Sequence, residues 1–288
     1  MPTISLPDGR ALELQVSGPE DGPVIVFHHG TPGSSIPLPA HVRAAAARGH
    51  RFVTTSRAGY AASARDAGRS VADVVADTAA VLDHLGVDHC LTMGWSGGGP
   101  HALACGALMP DRVRGVTLIA GVAPYEAVGL DFLAGMGPEN VDEFGAALEG
   151  EASLRPFLEE QRPSLAQISP EEVAEALGGL VPPVDVASLT GELAETVAAE
   201  FRHGLATTVD GWLDDDLAFT RPWGFELAAI AVPTYVWQGS EDLMVPFAHG
   251  QWLVEHIPGV VAHLEEGQGH LSIGVGATER MVDELVAS

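Results

Sequence analysis

Apolar positions cluster along this chain in short continuous runs rather than in alternation. Val24 to His28, Cys90 to Gly94 and Val113 to Ala120 read as strands covered on both faces. Further strands are expected at Arg51 to Thr54, Thr234 to Trp237 and Val260 to Leu264. Helical stripes separate them, over Ala40 to Arg48, from Ser70 through Leu85, and over Gly98 to Met109. In the second of these, Val71, Val74, Val75, Thr78, Val81, Leu82 and Leu85 share one face, and Ser70 with Asp73 makes a capping-box-like start. Strand and helix in turn imply a mostly parallel sheet. The beginning differs, because Thr3 to Leu6 and Ala11 to Val16, joined by Pro7-Asp8-Gly9-Arg10, predict an antiparallel hairpin with an Asp-Gly turn.

From roughly Gly121 to Pro222 this rhythm stops. The segment has few β-branched runs and reads as short amphipathic helices divided by Gly137-Pro138, Ser169-Pro170 and Pro182-Pro183. It is expected to be a helical cap inserted after the sixth strand. The core is then divided into 1–121 and 223–288, with the cap at 122–222. No internal repeat or low-complexity linker is present.

At 288 residues and 46% hydrophobic content, the chain can bury a large core. It carries 39 acidic residues against 14 basic ones, all arginine, for a net charge of -25. Such a surface makes nucleic acid a poor partner. The imbalance is uneven: between Ala123 and Thr220 stand 20 Asp plus Glu against 3 Arg. Runs such as Asp214-Asp215-Asp216 are expected on a solvated face, although carboxylates near a pocket could attract cationic substrates or bind a free amino terminus. Cys90 and Cys105 fit small core residues better than a disulfide. The first residues lack a basic start and apolar core, and no apolar run reaches the roughly 20 residues of a bilayer span, so a cytoplasmic protein without membrane attachment is expected.

The chemistry concentrates in Gly94-Trp95-Ser96-Gly97-Gly98-Gly99, where an apolar strand meets a small-residue helix. A reversal within one or two residues forces strained torsions, and glycines on both sides remove clashing Cβ atoms, so Ser96 reads as a nucleophile on an elbow. His29-Gly30-Thr31-Pro32-Gly33, after an earlier strand, reads as an anion loop. The backbone N–H of Thr31 and that of Gly97 are the expected oxyanion donors. Asp242, in Gly239-Ser240-Glu241-Asp242, and His270, in Gly267-Gln268-Gly269-His270, each follow a later strand and complete a Ser-Asp-His order. Glu241 and Glu126 compete as the acid. Adjacent His28 and His29 have no ligand neighbour at metal-binding spacing, so no metal is expected, and His29 is expected to brace its loop.

Together these segments, with Leu243-Met244-Val245-Pro246 after Asp242, resemble the α/β-hydrolase fold in its cap-bearing serine hydrolase branch. The similarity spans nearly everything but the middle third. It implies an eight-stranded, mostly parallel sheet flanked by helices, and an esterase acting on a small molecule. Neither metal nor organic cofactor is called for, and the expected assembly is a monomer or homodimer. Ser56-Arg57-Ala58-Gly59-Tyr60 departs from the family's usual Asp-Arg-Pro-Gly at Ser56 and Ala58, which leaves open how that loop is braced. Candidate pocket residues are His29, Leu38, Trp95, Tyr125, Phe132, Met136, Trp212, Phe219 and Met244. An aminopeptidase of the proline iminopeptidase type is the alternative, departing at Thr31 and at the elbow. A non-hydrolytic ligand sensor is a second. Haloalkane dehalogenases and epoxide hydrolases would need a carboxylate at Ser96.

Overall fold

The computed structural model describes residues 1–288. The chain opens with β1 (Thr3–Ser5) and β2 (Ala11–Ser17), paired antiparallel, followed by β3 (Val24–His28), α1 (Pro39–Ala47) and β4 (Arg51–Ser56). Next come α2 (Val74–Leu85), β5 (Cys90–Trp95), α3 (Gly98–Leu108) and β6 (Val113–Ile119). No strand occurs between Ile119 and Thr234; that stretch forms α4 (Pro138–Glu149), α5 (Glu151–Leu165), α6 (Val173–Leu177), α7 (Pro183–Ser188), α8 (Gly191–Gly204) and α9 (Asp210–Phe219). The chain closes with β7 (Thr234–Gly239), α10 (Phe247–His256), β8 (Val261–Glu265), α11 (His270–Gly276) and α12 (Thr278–Val286).

The eight strands form one sheet in the order β1-β2-β4-β3-β5-β6-β7-β8, parallel from β4 to β8. Every residue of β3 is buried, as its unbroken apolar run requires. One face packs on α1 and α12 through Ile25, Phe52, Met93, Ala44, Met281 and Leu285. The other meets α2, α3 and α10 through Val26, Val116, Leu82, Leu103 and Leu253. Parallel strands covered by helices on both faces aim the C-terminal ends of β3, β5, β7 and β8 at one edge. There the loops carry the candidate chemistry.

Element boundaries differ from the sequence expectation by small, explicable amounts. β4 runs on to Ser56 because Ser56 pairs with Glu13 of β2 and its hydroxyl donates to Glu13 Oε1 at 2.8 Å. Ser70 and Asp73 do cap, with Ser70 N–H donating to Asp73 Oδ2 at 2.6 Å, but the first turn, Val71 to Asp73, is a 3-10 turn ahead of α2. Cys90 and Cys105 are free and buried, and burial pushes both thiols up to about 12. No helix is long and apolar enough to cross a membrane.

One expectation fails outright. Asp214, Asp215 and Asp216 are at most 1% exposed. α9 is buried from Gly211 to Phe219, so two of these three carboxylates face arginines rather than water: Arg65 holds Asp214 at 2.8 Å, and Arg57 and Arg69 hold Asp215 at 2.5 and 2.6 Å.

Candidate active site

Ser96 has φ +55, a left-handed conformation costly for a residue with a Cβ. It is held there by its neighbours. Its N–H donates to Ile119 O at 2.8 Å, and its carbonyl accepts from Gly99 N–H at 2.9 Å. A Cβ on Gly94 would strike the Gly98 backbone, and one on Gly98 would strike the carbonyl of His28, so β5, α3 and β3 can converge only with glycine at both positions.

The neighbouring loop after β3 is fixed by a buried cation. Arg57 donates through its guanidinium to the carbonyls of His29 and Gly30, the latter at 2.9 Å, and to Thr31 Oγ1 at 3.0 Å. Thr31 Oγ1 in turn donates to Asp215 Oδ2 at 2.8 Å, where the Tyr60 hydroxyl also donates at 2.9 Å. Burial alone would raise the Asp215 carboxyl, but Arg57 and Arg69 hold it well below the usual carboxylate range. This answers how the loop with Ser56 and Ala58 is braced: Ser56 Oγ accepts from Ser35 N–H at 2.8 Å, and Ser63 Oγ donates to the Ser56 carbonyl at 2.5 Å. Gly97, at the N-terminal end of α3, lies against Thr31, whose side chain a Cβ at Gly97 would strike. The backbone amides of residues 31 and 97 thus belong to adjacent segments, beside the positive end of a helix dipole.

His270 is buried and donates from Nδ1 to Asp242 Oδ2 at 2.8 Å. Asp242 also accepts from Gln238 Nε2 at 3.0 Å and from the backbone N–H groups of Met244 and Val245 at 2.9 and 2.8 Å. Four donors to one carboxylate fix its orientation. Glu241 and Glu126 are exposed. Burial opposes charge on His270, but Asp242 and, more weakly, Asp185 outweigh it and raise its pKa. Asp185, unexposed on α7, accepts from the backbone N–H groups of His270, Leu271 and Ser272 at 2.8, 3.0 and 2.8 Å. It caps α11 from a different part of the chain. Ser96 and His270 line the same cavity without a closed hydrogen bond between them, a contact that often tightens only when substrate binds.

That cavity measures about 440 Å³. Gly30, Thr31, Trp95, Ser96, Gly97 and His270 form its floor, and side chains of α4, α5, α8 and α9 close over it. Of the candidate pocket residues, Leu38, Trp95, Trp212, Phe219 and Met244 line it. His29, Tyr125, Phe132 and Met136 do not. His29 is 1% exposed, accepting at Nε2 from Arg57 N–H at 3.1 Å and donating from Nδ1 to Gly30 O at 2.6 Å. Burial, with Arg57 nearby, depresses its pKa and keeps the ring neutral. Phe132 packs edge-on against Tyr125, Phe144 and His249, and Met136 joins the same apolar cluster. The sequence reading missed the carboxyl groups of the roof. Glu143, Glu200 and Asp216 line the cavity, and Asp216, 0% exposed, has no donor to either oxygen. Glu143 accepts from Trp212 Nε1 at 2.8 Å. Burial pushes Glu143 up to about 7 against hydrogen bonds with Trp212 and Asp216 that favour its charge, and raises Asp216, which Glu143 raises further; burial pushes Glu200 up to about 8.

Known proteins share this framework. The uncharacterized hydrolase YcgS of Bacillus subtilis (strain 168) is 27% identical over 271 residues, 92% of this chain and 89% of that protein. The bifunctional esterase/perhydrolase DCH of Acinetobacter calcoaceticus is 34% identical over 123 residues, 42% of this chain and 45% of its own. Among solved structures, an alpha/beta hydrolase fold protein from Nakamurella multipartita matches with a TM-score of 0.66 and 25% identity, covering 99% of both chains. The sequence profile of the alpha/beta hydrolase fold matches residues 23–277, a span that runs from β3 past His270; the chain belongs to that family and is a hydrolase.

Proposed function

We propose that the protein hydrolyses a carboxylic ester of small to medium size through an acyl-enzyme on Ser96. The observation that carries this reading is the left-handed Ser96 on the floor of a cavity that also admits His270, itself bonded to buried Asp242. In the first step Ser96 Oγ bonds to the ester carbonyl carbon while His270 Nε2 takes its proton. The amides of Thr31 and Gly97 hold the oxyanion, and Asp242 stabilises the imidazolium. Collapse breaks the bond to the alcohol oxygen, which leaves with the proton from His270. Water then adds to the acyl carbon, gives its proton to His270, and the acid departs as Ser96 regains one. The helices from α4 to α9 act as a cap, limiting substrate shape and excluding water during acylation. The esterase activity in the name of the Acinetobacter relative supports the choice of ester.

A fluorophosphonate should label wild type at the peptide containing Ser96 and leave Ser96→Ala unlabelled by intact and peptide mass measurement. Equal labelling of both proteins would remove the basis of this reading. Nitrophenyl esters assayed beside prolyl anilides should be preferred in kcat/KM. A preference of more than about tenfold for the anilide would put an aminopeptidase in the esterase's place.

A further inference from the structure

The cavity roof has a charge problem that acyl transfer does not explain. Five acidic residues, Glu139, Asp142, Glu143, Glu200 and Asp216, line it, and no arginine does. Arg57 and Arg69 are both committed to Asp215. Asp216 has no exposed surface and no donor to either oxygen, although buried carboxyl groups are ordinarily satisfied. Its neighbour Glu143 is another acceptor, with the Trp212 indole as its donor. Glu143 lies within side-chain hydrogen-bonding reach of Asp216, so only a shared proton joins the two carboxyl groups, and a multi-donor cation would satisfy both as carboxylates. Aromatic rings beside them, Trp212 and Phe144, add faces that attract positive charge.

The placement relative to the nucleophile is also fixed. Phe219 lies so close to Gly97 that a Cβ there would come within 3.0 Å of the ring. Asp216 is three residues earlier on α9, about 4.5 Å along the helix axis. From these observations we infer that the roof of the catalytic cavity is a cation subsite, in which Asp216, Glu143 and Glu200 bind an alkylammonium group carried by the substrate a few bonds from the reacting carbonyl. The inference rests on the ester reading and narrows it to amine-bearing esters.

Two isosteric substrates test it, the nitrophenyl ester of 6-ammoniohexanoate and the ester in which a methyl group replaces the ammonium. Wild type should favour the cation by about tenfold or more in kcat/KM, and Asp216→Asn and Glu143→Gln should each shrink that ratio several-fold. Because the ratio is taken within one protein, loss of folded enzyme does not imitate it. Turnover of the neutral ester without preference for the cation, or a preference intact in both variants, overturns the subsite while leaving the esterase standing. Binding that needs no turnover decides the matter independently. Butylammonium should change the tryptophan fluorescence of wild type saturably where butanol does not, with about tenfold weaker binding in Asp216→Asn. Indifference of wild type to butylammonium overturns the assignment even if neither ester is cleaved.

Discussion

Gly97 shows how little room a single position can leave. It carries one proposed oxyanion donor, and a Cβ there would meet both the Thr31 side chain and the Phe219 ring. Gly97→Ala should therefore push the two donor segments apart without touching Ser96, His270 or Asp242. The expected loss is about 100- to 1,000-fold in kcat on a nitrophenyl ester, the scale of one misplaced donor. Fluorophosphonate labelling would report the same slowing. A variant within a few-fold of wild type would show that the oxyanion is held elsewhere. The local geometry of this elbow was legible in the sequence, because strand, elbow and helix are contiguous and glycine's lack of a Cβ is a local property. Asp242 and His270 were legible for a similar reason: each follows an apolar strand that fixes its address. Pocket membership was not, since an aromatic side chain fills a core and lines a cavity equally well; Tyr125 and Phe132 went to the core beside His249.

Among the elements, α7 and α11 make the least expected connection. Asp185 on α7 caps the helix that begins at His270, accepting from three successive backbone N–H groups. Its charge also raises the imidazole pKa, after the larger effect of Asp242. The proposed mechanism needs neutral His270, so activity should fall as pH drops through that raised value, above the ordinary 6.5. Asp185→Asn removes the charge and keeps an acceptor, so the acid limb of kcat/KM should move to lower pH. Asp185→Ala should in addition lose about 0.5–2 kcal/mol of stability, the usual scale of a helix cap. An unmoved acid limb in Asp185→Asn would leave Asp185 a purely structural cap. Nothing in the sequence marked this residue, because its partners stand 85 to 87 positions away and no spacing rule spans that distance. The same physics explains the misjudged run on α9: a charge block is solvated by default, and only tertiary structure brings Arg57, Arg65 and Arg69 to it.

For the molecule as a whole, Asp215 joins the helical segment after β6 to the sheet. Through Arg57 it reaches the carbonyls of the loop after β3, and through Arg69 and Tyr60 the loops after β4. Asp215→Ala would strand two buried guanidinium groups, and the expected cost is about 3–5 kcal/mol in chemical unfolding. Because its folded pKa is depressed, the carboxylate's contribution is present above its ordinary value near 3.8 and is lost as pH falls through the lower folded value. Wild type and variant should therefore differ fully at neutral pH and converge in strong acid. Equal midpoints at neutral pH would remove Asp215 from the account of stability. The interior also determines how this protein could be watched at work. With Cys90 and Cys105 unexposed and resistant to ionisation, thiol reagents have almost nothing to find on the native surface. A pair of cysteines introduced on the outer sides of α5 and α12 would then carry spectroscopic reporters against a silent background, and the distance between them would register whether the roof lifts when an ester enters.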